Sequence, residues 1–124
     1  MRKTLPLLLI CIFIFNYSRS QSLTSLGGGM TMHGNVRVMQ YDSLYNLLYI
    51  GGDFRSVDGV HANNIACWDG TTWFTMNGGI NGTVRSMKLV GHDLYVGGYF
   101  QTAGGVSVSN IAKWNRTSWF SPGS

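Results

Sequence analysis

When residues 51–76 are laid on residues 97–122, twelve of the 26 positions are identical at a single shift of 46. Gly51-Gly52-Asp53-Phe54 returns as Gly97-Gly98-Tyr99-Phe100, Asn64-Ile65-Ala66-Cys67-Trp68 as Asn110-Ile111-Ala112-Lys113-Trp114, and Thr72-Trp73-Phe74 as Ser118-Trp119-Phe120. Upstream, Gly34–Met39 matches Gly82–Met87 at a shift of 48. The two-residue difference falls between Tyr41 and Leu48, where a turn is expected and insertions are best tolerated. Leu26–Met30 also resembles Met76–Ile80, so the chain carries the tail of one unit and then two units. Repetition at this period constrains the fold more than any other feature. Each unit is one supersecondary element that can bury its apolar surface only on a neighbour.

Each unit reads as four short strands rich in Val, Ile, Tyr, Trp and Phe. They are expected at Val36–Tyr41, Leu47–Ile50, Asn64–Trp68 and Thr72–Met76, and again at Val84–Val90, Leu94–Val96, Asn110–Trp114 and Ser118–Ser121. Asp69-Gly70 predicts a type I′ hairpin turn between the third and fourth strands, and Asn115-Arg116 suits that turn less well. Arg55–Asn63 and Gln101–Ser109 are expected as long loops between the second and third strands. With 17 glycines and no glutamate in 124 residues, helical bundles and coiled coils are disfavoured. A hydrophobic content of 44% against 11% charged excludes a disordered chain. The expected fold class is all-β and antiparallel.

Four antiparallel strands in roughly 40–50 residues is the size of a β-propeller blade. The residues carry a resemblance at this point. A Gly-Gly closing the second strand (Gly51, Gly52; Gly97, Gly98), then Phe54 or Phe100, then two tryptophans (Trp68 and Trp73; Trp114 and Trp119) is similar to kelch-type repeats. The fuller pattern resembles the galactose-oxidase-central-domain-like propellers of secreted and cell-surface proteins. The resemblance covers about residues 22–124. It implies a partial β-propeller with blades at 34–76 and 82–122, used for binding or as a scaffold, and it brings no catalytic residues. Propellers close with roughly four to eight blades. Either the chain is the N-terminal piece of a longer protein, or several copies share one ring. Residues 22–29 align with a fourth strand and are expected to close such a ring.

Residues 1–20 read as a secretory signal peptide. Arg2 and Lys3 precede an apolar run from Leu5 to Phe15, and Ser18-Arg19-Ser20 supplies small residues before Gln21. That run spans only about half of a ~30 Å hydrocarbon core, so no stable membrane span is expected after cleavage. The expected location is secreted or cell surface. The leader holds three of the nine Lys and Arg residues, and the remaining six face five aspartates. Those six are scattered singly along the chain, which argues against a nucleic-acid partner. Cleavage leaves one cysteine, Cys67, which is expected to be buried and inert.

Few residues suggest chemistry. The four tryptophans recur at equivalent positions, so packing explains them better than sugar stacking. The paired glycines have no following lysine or helix and so form no phosphate loop; they read as bends or close approaches. His33, His61 and His92 do not recur and lack metal-ligand spacing. No carboxylate pair, Ser-His-Asp set or copper site with a tyrosine–cysteine link can be placed, so no enzyme activity, metal or cofactor is expected. Binding in propellers usually falls on face loops, which makes Asp53, Arg55, Asp58 and His61 the candidate ligand residues. The expected function is a non-catalytic binding or scaffold module for a protein or glycan. The alternatives are a lectin-like oligomer that completes a ring, or the non-catalytic N-terminal part of an exported enzyme.

Overall fold

The computed structural model describes residues 31–122. The expected leader at 1–20 and closing strand at 22–29 lie outside the described residues. Those described form eleven strands and no helix. The first sheet orders β1 (Met32–Asp42), β2 (Leu47–Val57), β4 (Ile65–Trp68) and β5 (Trp73–Phe74) as an antiparallel meander, with β3 (Val60–His61) pairing the far end of β2. The second sheet orders β6 (Thr83–Val90), β7 (Asp93–Tyr99), β10 (Ile111–Trp114) and β11 (Trp119–Phe120) in the same way. A small hairpin, β8 (Thr102–Ala103) with β9 (Val106–Ser107), stands apart.

The two registers correspond position by position. Leu48 pairs with Trp68 and Gly51 with Ile65, while Leu94 pairs with Trp114 and Gly97 with Ile111. In β1 the ladder shifts between Val36 and Val38, so Arg37 is a bulged residue, and in β6 a shift between Val84 and Ser86 bulges Arg85. A bulge re-aims the side chain it carries. Arg37 reaches Asp53 at 3.0 Å, whereas Arg85 lies 5.3 Å from the ring centre of Tyr99, the residue 46 positions after Asp53.

Alternation along each strand sends neighbouring side chains to opposite faces. In the first sheet Tyr49, Ile65 and Cys67 point one way and share one core with Val84, Leu94, Val96, Ala112, Trp114 and Trp119 of the second sheet. The first-sheet counterparts of that second group, Leu48, Ile50, Ala66, Trp68 and Trp73, belong to a different core with Phe54 and Val57. The second sheet therefore rests on the first with one face against the opposite face. The rings of Trp68 and Trp73 pack with centroids 5.0 Å apart and planes tilted 44°, and those of Trp114 and Trp119 at 5.0 Å and 47°.

Three expectations are corrected by the backbone. The second strand of each unit does not stop at Ile50 or Val96 but runs to Val57 and Tyr99. The bulge lets Gly51-Gly52 and Gly97-Gly98 stay in the ladder instead of ending it. The segments expected as long loops are hairpins. They turn at Asp58-Gly59, with φ of 50° and 79°, and at Gly104-Gly105, with φ of 56° and 84°, the left-handed pair that a tight hairpin turn needs. Finally, Asp69-Gly70 is not a two-residue turn, because the ladder closes at Trp68 and Trp73 and leaves four residues between them. The Asp69 carboxylate organises that loop by accepting from the Thr71 and Thr72 amides, both at 2.8 Å, and from the Thr71 hydroxyl. Asn115 does the same for Thr117 and Ser118. Arg116 takes the left-handed position of Gly70, and its guanidinium stacks 4.5 Å from the Tyr45 ring centre while donating to the His92 carbonyl.

Asn64 and Asn110 turn the chain into the third strands. Both are left-handed, a conformation asparagine tolerates better than most residues. Each side-chain oxygen accepts the amide two residues after the Gly-Gly pair, Phe54 at 3.1 Å and Phe100 at 3.0 Å. Asn64 also donates to the Ile80 carbonyl at 2.8 Å, tying the first sheet to the crossover.

Candidate functional site

Where β1 and β2 run past the sheet core, their outer ends and the crossover enclose a cleft of about 740 Å³. Its polar lining includes His33, Asp53, Arg55, His61, Asn63 and Asn81. Three of the four residues singled out in the sequence, Asp53, Arg55 and His61, are brought together here. Asp58 is not: it forms the exposed tip of the β2–β3 turn. The hairpin explains both placements. Folding Arg55–His61 back on itself carries Arg55 and His61 to one end and throws Asp58 to the other.

His33, Asn63 and Asn81 were not foreseen as site residues. His33 pairs with Ser56 in the β1–β2 ladder, and its Nδ1 lies 2.9 Å from the Ser56 hydroxyl. Asn63 precedes the Asn64 corner and donates to the Gly78 carbonyl at 3.1 Å. Asn81 accepts from the amides of Gln101 and Thr102. The available signal was the shift of 48, which sets His33 and Asn81 at equivalent positions of successive units.

Asp53 is the electrostatic centre of the cleft. Its Oδ2 takes the Arg37 guanidinium, while its Oδ1 is buried and has no hydrogen-bond partner among the described residues. A buried carboxylate oxygen left unpaired is costly, and a donor arriving from a ligand relieves that cost. With Asp53 as acceptor, Arg55 as cation and two imidazoles beside them, the cleft can hold a polar ligand that both donates and accepts. Among the described residues, no group of three or more His, Cys, Asp or Glu side chains is placed to hold a metal ion.

A second hollow, about 520 Å³, lies over the junction of the sheets between Leu47, Cys67, Phe74, Met76 and Trp114, with Arg116 at its edge. It is predominantly apolar. Burial pushes the Cys67 thiol from an ordinary 9.0 up to about 12, with smaller contributions from Asp69 and Asp42. Burial also raises the Tyr49 phenol, helped by Cys67 and Asp42 nearby. The Asp69 carboxyl is shifted downward: burial alone would raise it, but the Thr71 and Thr72 amides and the Thr71 hydroxyl outweigh burial.

The thiolate is the reactive form of cysteine, so Cys67 is expected to label slowly with a thiol reagent at neutral pH in the native chain and quickly after unfolding. Its folded value lies above its unfolded one. The stability it contributes is therefore complete below about pH 9 and falls as pH rises toward 12. A Cys67→Ala variant is expected to lose that part of the alkaline decline in a denaturant titration. Rapid labelling of the native chain, or an unchanged decline, would contradict the burial.

Comparison of the chain with protein-family models, curated proteins and solved structures finds no match.

Proposed function

We propose that the chain is a secreted or surface-exposed, non-catalytic binding and scaffold module built as a partial β-propeller, with its ligand in the cleft around Asp53. One observation carries this reading: the polar lining of the cleft falls where the two units differ. Asp53, Arg55 and His61 correspond to Tyr99, Gln101 and Ser107 in the second unit, although the hairpins beside them pair at equivalent positions, Ser56 with His61 and Thr102 with Ser107. The inner ladder and the hairpin do not need those three side chains, because the second unit forms both without them, although its β7 stops at Tyr99 where β2 runs on to Val57. The propeller reading draws on the stacking of one face on the opposite face, since head-to-tail association closes into rings when the rotation allows. Further sheets from a longer parent, or self-association, would complete such a ring.

The test is an amide-resonance titration of the full chain against a panel of short oligosaccharides and short peptides. Joint shifts at Asp53, Arg55 and His61 that disappear in Asp53→Asn are the expected result. Shifts confined to other surfaces would overturn the cleft as the site.

A further inference from the structure

The outer face of the second sheet is the counterpart of the face that the first sheet buries. Ile65 is 0% exposed under the second sheet, while its equivalent Ile111 is 44% exposed. A third sheet of the same kind would have to seat on this face, yet its chemistry has changed. Val38, Leu47 and Cys67 pack at the junction of the sheets, and their equivalents are Ser86, Asp93 and Lys113. Gln40, beside them, is replaced by Lys88. Covering that face with another apolar sheet would take Lys88 and the Lys113–Asp93 pair, 4.0 Å apart, out of water, at a desolvation cost that apolar contacts do not return. Turning it onto an identical face of a second copy would set Arg85, Lys88 and Lys113 against themselves, with Asp93 as the sole carboxylate among these charged side chains.

The register shows what the face does suit. Lys88 pairs with Tyr95, Tyr95 with Lys113, and Lys113 with Phe120. Cations and aromatic rings therefore alternate along one row across four strands, at about 4.8 Å per step. Lys113 Nζ lies 5.3 Å from the Phe120 ring centre, and Arg85 sits at the same distance from Tyr99, which is 67% exposed. We propose that this face binds an acidic polysaccharide lying across the strands. The C–H faces of its sugar rings would rest on Phe120 and Tyr99, with its carboxylate or sulfate groups on Lys88, Lys113 and Arg85. The proposal rests only on the secreted binding role in the proposed function; it uses none of the cleft residues, and a further sheet seated on this face to continue a ring would compete with the polymer for it. A protein partner fits less well, because the core of a protein interface is depleted in charge and here charges separate the apolar side chains. Single-stranded nucleic acid would stack its bases on aromatic side chains, and the oligothymidylate comparator separates that ligand from a polysaccharide.

The experiment measures binding of the full chain to polygalacturonate and to dextran sulfate, with neutral dextran, an oligothymidylate and anionic phospholipid vesicles as comparators. The expected result is binding to both acidic polymers, none to neutral dextran, and weakening as salt rises. A Lys88→Gln, Lys113→Gln double variant with unchanged melting temperature should lose about tenfold in affinity, and Phe120→Ala should also weaken binding. Asp53→Asn should leave polymer binding intact, so the cleft can fail as a site without this face failing, and the reverse. Absence of polymer binding, tighter binding to the oligothymidylate or vesicles, or indifference to the lysine variant would overturn the proposal.

Discussion

Gly98→Ala is expected to destabilise the chain by about 3 kcal/mol or more, at the upper end for inserting atoms into a well-packed site. A Cβ built on Gly98 falls 2.1 Å from the Thr83 carbonyl oxygen and 3.0 Å from the Arg85 amide. Both obstacles are backbone, held in the β6–β7 ladder on either side of the Arg85 bulge, so neither can swing aside as a side chain would. Gly52 meets the Asn35 carbonyl at the same 2.1 Å, and Gly52→Ala should behave alike. A glycine at a hairpin tip is a useful contrast: Gly59 has nothing within 4 Å of an added Cβ, so Gly59→Ala is penalised through its left-handed φ alone, by about 1 kcal/mol. Urea titrations of the three variants measure the difference. A loss at Gly98 no larger than that at Gly59 would contradict the close approach at the bulge.

Trp119→Ala is expected to cost about 3–5 kcal/mol, the usual range for emptying a buried aromatic site. Against a typical domain stability of about 5–15 kcal/mol, that loss is large enough to unfold a small chain. Trp119 is 4% exposed, packs tilted against Trp114, and lies so close to the β8–β9 turn that a Cβ on Gly104 would meet its ring at 2.4 Å. Its indole nitrogen donates to the Met76 carbonyl at 2.8 Å, fastening the last strand of the second sheet to the segment that leaves the first. Trp119→Phe keeps most of the apolar contact and gives up that bond, so a loss of about 1 kcal/mol beyond the packing change is expected. Thermal denaturation of both variants checks the ordering. Equal losses would mean that the hydrogen bond, not the packing, dominates.

The sheets were readable in the sequence because their determinants are local and occur twice. Ile65-Ala66-Cys67-Trp68 and Ile111-Ala112-Lys113-Trp114 each became a third strand, and the two-residue change in shift did fall in a turn: Ser43–Asn46 against Gly91-His92. What misled was glycine and polarity taken at face value. Gly51-Gly52 looked like a strand end, but a bulge on the partner strand spends the missing side-chain volume on close backbone approach and the ladder continues. Arg55–Asn63 looked like a loop because it is polar, but Asp58-Gly59 is a turn signal that makes it a hairpin. The cleft was half legible. Asp53, Arg55 and His61 were legible as residues at or beside an expected face loop, whereas His33 enters the cleft through its cross-strand pairing with Ser56 and Asn63 through the corner that leads into β4. Arg85, Lys88 and Lys113 were scattered in sequence and are gathered only by the pairing of β6, β7 and β10.

The stacking of the two sheets is the claim from which the cleft, the inter-sheet core and the outer face all follow. The most direct measurement of it is a nuclear Overhauser experiment between the α-protons of Gly51 and the methyl groups of Val84 and Met87. A Cβ on Gly51 would lie 2.5 Å from Val84 Cγ1 and 2.7 Å from Met87 Cε, so strong cross-peaks are predicted from the first sheet to the second. Cross-peaks within each sheet, such as Gly51 to Ile65 and Gly97 to Ile111, accompanied by none between Gly51 and Val84 or Met87, would show two correctly paired sheets that do not stack, and would contradict the account.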